Sequence, residues 1–91
     1  MTGAPETIAA AAILHRGTVW SVPRPGRHHD VIARIRREAA GTLPVRGGEA
    51  QGFVTSTGRY VDRREGGRLA LAAGQTQTLG WGPRLFSEDL W

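Results

Sequence analysis

The stretch Gln51-Gly52-Phe53-Val54-Thr55-Ser56-Thr57-Gly58-Arg59-Tyr60-Val61-Asp62-Arg63-Arg64-Glu65 decides the fold. Gln51 to Thr55 reads as a strand, Ser56-Thr57-Gly58 as a turn, and Arg59-Tyr60-Val61 as the returning strand of a hairpin. Asp62 then stands where a helix cap belongs. Glu65, three residues later, completes an Asp-x-x-Glu capping pattern. Leu69, Ala70 and Ala73 supply an inner stripe, and Gly74 stops the helix. Gly66-Gly67 within it costs roughly 1 kcal/mol per Gly against Ala. Either the helix starts late or another backbone packs closely there.

The upstream half repeats this layout without a convincing sequence repeat. Thr7 to Leu14 is a run of small and apolar residues, His15-Arg16-Gly17-Thr18 is a turn, and Val19-Trp20-Ser21-Val22 returns. An Ala-rich run is ambiguous between helix and strand, and the turn placement favours a β-hairpin. After the Pro23-Arg24-Pro25-Gly26 break, Arg27 to Ala40 reads as a helix. Val31, Ile32, Ile35 and Ala39 form its apolar stripe, which His28 joins. Asp30 suits the start of the helix dipole, and Arg36 and Arg37 suit the latter half. Thr42 to Ala50 reads as a loop, as does Gln75 to Arg84, which carries Trp81. The expected fold is α+β, a small antiparallel sheet from two β-hairpins packed with two helices in the order β-β-α-β-β-α. Residues 1–91 form a single domain, with 1–6 a flexible tail. Leu85-Phe86-Ser87-Glu88-Asp89-Leu90-Trp91 is too apolar to fray and is expected to dock, on its own subunit or on a neighbour.

Composition narrows the function classes. With 91 residues the chain has a limited private core, which makes a homo-oligomer an expectation. There is no cysteine, so disulfides, thiol catalysis and cysteine-based zinc sites are excluded. No apolar run approaches the roughly 20 residues of a membrane span. The N-terminus lacks the basic cluster and apolar run of a secretory signal, which points to the cytoplasm. The net charge is +4, and all 12 basic residues are arginine. Guanidinium forks suit phosphate and carboxylate, so an anionic partner is expected.

The densest polar cluster is Arg24-Pro25-Gly26-Arg27-His28-His29-Asp30, at the expected start of the first helix. Free backbone N–H groups and the positive dipole end converge there, and Arg27 with His28 or His29 makes a phosphate site. His28 can equally be a core residue. In the second hairpin Phe53, Thr55, Arg59, Tyr60 and Arg63 interleave aromatics with arginines, a pattern that stacks a base and holds its phosphate. Phe53 and Tyr60 can equally be core. Adjacent histidines point about 100° apart on a helix, so a metal is not expected, and no base-oriented nucleophile stands out. The arginines are spread along the chain among acidic residues, which disfavours nucleic acid.

Several stretches together carry a resemblance: Gly17-x-Val19, Arg27-His28-His29-Asp30-Val31-Ile32, Gln51-Gly52-Phe53-Val54-Thr55, Gly58-Arg59-Tyr60-Val61-Asp62-Arg63-x-Glu65, Ala73-Gly74-Gln75 and Leu85-Phe86-Ser87-Glu88-Asp89-Leu90-Trp91. The pattern covers nearly the whole chain. It resembles short phage-encoded proteins, among them the first type of Thoeris anti-defence protein. That resemblance implies a non-catalytic sponge, oligomeric and without a cofactor, that sequesters a cyclic ADP-ribose-type or cyclic nucleotide immune signal in the bacterial host. Such a ligand needs guanidinium forks for its diphosphate, from Arg27 with Arg59 or Arg63. Its riboses need partners such as Asp30, Thr55 or Gln75, and its adenine an aromatic face from Phe53, Tyr60 or Trp20. One departure is that Arg63-Arg64-Glu65-Gly66-Gly67 stands where Arg-x-Glu-Ala is the expected pattern. The alternatives are a small phage protein that inhibits a host protein by contact, and a nucleic-acid-binding module.

Overall fold

The computed structural model describes residues 6–42, 50–80 and 82–91. Four strands, β1 (Ile8–His15), β2 (Thr18–Ser21), β3 (Gln51–Thr55) and β4 (Tyr60–Asp62), form one antiparallel sheet in the order β2-β1-β3-β4. Each hairpin pairs locally. The sheet closes in the middle through β1 and β3, with Ala11 opposite Phe53 and Ile13 opposite Gln51. The first turn is tight because Arg16 and Gly17 both adopt left-handed backbone, at φ 51° and 78°, the twist that a two-residue hairpin requires. Helix α1 (His28–Glu38) follows the first hairpin and α2 (Arg63–Ala72) the second. The α+β architecture and the β-β-α-β-β-α order are those expected from the sequence.

Both helices cover the same face. Strand alternation and register place Ile13, Ala11, Phe53, Val61 and Trp20 on it. Val31 and Ile35 of α1 pack with Ala11 and Ile13 into one core cluster, and Ala70 of α2 packs with Ile8, Phe53, Val61 and Leu85 into another. The Asp62 carboxylate caps α2, accepting from Glu65 N–H at 2.8 Å, as the spacing predicts.

Two details, the turn after α1 and the fixing of Glu6, differ from the sequence reading, and two of its open alternatives are resolved. The stretch Ala40–Thr42 is a short 3₁₀ turn after α1. The helix α2 starts on time, and Gly66 and Gly67 lie in its buried stripe with Arg63 and Ala70. A Cβ on Gly67 would stand 3.0 Å from the Pro83 carbonyl oxygen, so close backbone packing explains the glycine. Glu6 is fixed by Arg59, not part of a loose tail. Leu85 is fully buried and Leu90 and Trp91 pack on the core, so the tail docks on its own subunit. Residues 1–5, the loop 43–49 and Trp81 lie outside the described residues.

Candidate functional site

The residues singled out in the sequence fall into two groups. Around the start of α1, Arg27 reaches the tail. Its guanidinium pairs with Glu88 at 3.2 Å and donates to the Trp91 main-chain oxygen. Arg24 lies over the Trp91 ring, 4.5 Å from its centroid, and the indole Nε1 donates to the Gly26 carbonyl at 2.9 Å. Asp30 turns back on the Arg27 N–H at 2.8 Å, and its other oxygen stands 3.4 Å from exposed His29. The anion-accepting groups at this helix start therefore face the chain's own Glu88 and Asp30. His28 is buried, with Nε2 at 2.7 Å from the Gly52 carbonyl and its ring edge-on to Phe53. Burial holds its imidazole below the usual range, and Arg63 adds to that.

Arg63, also buried, donates to the Leu85 carbonyl at 2.8 Å and to Gln51 Oε1 at 2.6 Å, and lies over the Phe86 ring. Desolvation lowers its guanidinium pKa. Phe53 is fully buried between the helices and the sheet, which leaves it no face for a base. Of the other two aromatics considered for that role, Tyr60 is half-buried over Gly52 and hydrogen-bonds the Ala50 carbonyl, and half-buried Trp20 carries the Arg34 guanidinium.

The second group surrounds Glu6. Arg59 grips its carboxylate with two hydrogen bonds of 2.8 Å, and Thr55 and Thr57 donate to it at 2.5 and 2.7 Å. These donors, Arg59 first, hold the Glu6 carboxyl down at about 2. Gln75 brackets Ile8, accepting from its N–H and donating to its carbonyl. Arg27, His28, Arg63 and the tail thus come together, as do Thr55 and Arg59. In both places the side chains spend their polar atoms within the chain.

An open cleft of about 380 Å³ runs along α2. Its floor is Gly67, Leu71, Leu79 and Pro83, and its rim is Asp62, Arg64, Glu65 and Arg68. Arg68 is paired with Glu65, which also reaches Arg59 at 3.5 Å. These arginines, Arg68 first, lower the Glu65 carboxyl pKa. The Arg64 guanidinium makes no hydrogen bond or ion pair among the described residues. Leu71 is exposed. The sequence reading gave no role to Leu71 or Arg64. The signal for this site was Gly67, which marks where Leu79 and Pro83 approach the helix. Among the described residues no group of three His, Cys, Asp or Glu could hold a metal, and no helix is long and apolar enough to cross a membrane.

These features define a small open-sheet α+β domain whose arginines clamp an aromatic, acidic tail. The chain belongs to the phage T4 y16D protein family, whose profile matches residues 7–91. No curated protein and no solved structure matches it.

Proposed function

We propose that this chain binds and sequesters a nucleotide-type anion without turning it over, a cyclic ADP-ribose-type signal of the host cytoplasm being the ligand class the sequence resemblance implies. The supporting observation is the α2 cleft, where the Arg64 guanidinium, without a hydrogen bond or ion pair among the described residues, stands beside apolar Leu71, Leu79 and Pro83. Its volume of about 380 Å³ lies within the range of small-molecule pockets, ~300–1,000 Å³. An apolar floor receives a base, and a free guanidinium fork receives a phosphate without first breaking an ion pair. The ion pair of Arg27 with exposed Glu88 is of the kind worth at most about 1 kcal/mol. A ligand phosphate can exchange with it, which keeps Arg27 as a secondary contact.

The test is to incubate the protein with cyclic ADP-ribose, filter, weigh both fractions by mass spectrometry, and heat the retained one. Retention by the protein and release of intact ligand on heating are expected. Arg64→Ala should weaken binding by about 1.5–3 kcal/mol, the range for charged hydrogen bonds, with an unchanged Tm. Ligand recovered wholly in the filtrate, with no thermal shift, overturns the proposal in favour of a protein-contact inhibitor. A cleaved product that accumulates beyond the protein concentration overturns the absence of turnover.

A further inference from the structure

The rim of the α2 cleft carries a carboxylate that an anion site does not need. Asp62 is exposed, and its Oδ1 accepts the Glu65 N–H as the helix cap. A cap requires one oxygen, and Ser, Thr or Asn supplies it without a charge. Asp62 brings a second oxygen and a negative charge to the mouth of the cleft. Neither is engaged, since Asp62 makes no ion pair among the described residues. The other rim carboxylate is occupied: Glu65 holds Arg68 at one oxygen and Arg59 at the other. The open polar groups of the cleft are therefore one donor fork, Arg64, and one acceptor, Asp62.

Position along α2 puts these surfaces in order. Arg64, Gly67 and Leu71 are three and four residues apart, so they share one face of the helix. With about 1.5 Å of rise per residue, Asp62 and Leu71 stand roughly 13 Å apart along the axis. The cleft is thus apolar at Leu71, without a side chain at Gly67, cationic at Arg64 and anionic at Asp62. We propose that Asp62 reads a sugar diol beyond the phosphates, so that the ligand of this cleft is a nucleotide whose diphosphate lies between its base and a second ribose. The inference rests on the reading of the cleft as a nucleotide site.

In this arrangement the base lies on Leu71, the first ribose passes Gly67 and the phosphates meet Arg64. The vicinal hydroxyls of the second ribose donate to Asp62, whose ionised carboxylate is an acceptor only and has lone pairs for both. A nucleotide that ends in its phosphates fits worse. Its terminal charge stands next to Asp62 with no donor between them, and like charges repel. A carboxylate that served the cap alone would oppose every anion in the cleft, and losing it would tighten all of them. The two roles of Asp62 therefore predict opposite signs for the same substitution.

Filtration binding of ADP-ribose, ADP and cyclic ADP-ribose to the full chain tests this. Wild type should hold ADP-ribose about tenfold or more tightly than ADP, the margin of one charge-assisted hydrogen bond. Asp62→Ser keeps a capping oxygen and removes both the second oxygen and the charge. It should weaken ADP-ribose by about ten- to a hundredfold and tighten ADP, with a wild-type melting temperature. Asp62→Asn, an equally good cap, should move both ligands in the same directions, which guards against a folding defect in either variant. Equal or tighter binding of ADP-ribose by the folded variants overturns the role of Asp62. So does equal wild-type affinity for ADP-ribose and ADP. In both cases retention of cyclic ADP-ribose by wild type leaves the nucleotide reading standing. If wild type retains none of the three, that reading falls and this inference with it.

Discussion

The Arg24 guanidinium lies 4.5 Å from the centre of the Trp91 ring, across 67 positions of sequence. On the ring's rim the indole N–H bonds to the Gly26 carbonyl, and the neighbouring Arg27 holds the Trp91 main-chain oxygen. Trp91 also packs on both core clusters, so one side chain joins the two clusters at the tail. Trp91→Ala should therefore cost about 2–3 kcal/mol, somewhat less than the ~3–5 kcal/mol of a fully buried large aromatic. Urea denaturation measures it. A variant within 0.5 kcal/mol of wild type, about the spread of surface substitutions, would mean that the tail contributes nothing to the fold.

Glu6 makes the stability of the sheet edge depend on acid. Its carboxyl is held at about 2 against an ordinary 4.5. The unfolded chain therefore takes up the proton first as pH falls, and the contribution of the Arg59–Glu6–Thr55 cluster fades. It is fully present above pH 4.5 and lost on descending towards pH 2. Glu6→Gln should lower stability at neutral pH and flatten the acid limb over that window. Thermal melts at a series of pH values check both, and an unchanged acid limb would dismiss the cluster as a stabiliser.

His28 titrates with the same sense for a different reason. Burial pushes its imidazole below the ordinary 6.5, so the folded chain keeps it neutral while the unfolded chain protonates. Stability should fall as pH drops below 6.5. The neutral ring donates from Nε2 to the Gly52 carbonyl, which fixes the tautomer. His28→Gln keeps a donor and removes the titration, so its stability should lose that slope. NMR titration of His28 should show protonation setting in below the ordinary 6.5.

Much of this fold was legible because local signals agreed. The Asp62–Glu65 cap, the Ser56–Gly58 turn and the Val31/Ile35 stripe each named its own element, and the tail announced its docking by composition. The site was less legible. Guanidinium forks and carboxylates look alike in sequence whether they await a ligand or each other. Arg27, Arg59 and Arg63 find internal acceptors because the partners, Glu88, Glu6 and Leu85, lie far away along the chain. Phe53 interleaves with arginines in sequence, yet strand alternation turns it inward. Arg64, which carries no pattern, is the cleft-side arginine whose guanidinium has no partner among the described residues.

The paired glycines of α2 separate two kinds of close packing. Alanine at either position gains about 1 kcal/mol of helix propensity, so the sign of each substitution depends on what the new methyl meets. At Gly66 it would meet Phe53 Cδ1 at 3.2 Å and Leu85 Cδ2 at 3.4 Å. Both are side-chain atoms that can yield by tenths of an ångström, and Gly66→Ala should stay within about 1 kcal/mol of wild type. At Gly67 the methyl would meet Leu79 Cδ1 at 2.8 Å and the Pro83 carbonyl oxygen at 3.0 Å. The leucine can rotate, but the carbonyl belongs to the backbone that walls the cleft and precedes buried Leu85. Overpacking of this kind costs about 1–3 kcal/mol, so Gly67→Ala should be net destabilising. It should also weaken ligand retention by shifting the Pro83 wall, whereas Gly66→Ala should leave retention intact. Chemical denaturation of the two variants, with filtration binding beside it, decides the matter. If Gly67→Ala proves the more stable of the two, Leu79 and Pro83 do not pack on the helix in this way, and the cleft loses that wall.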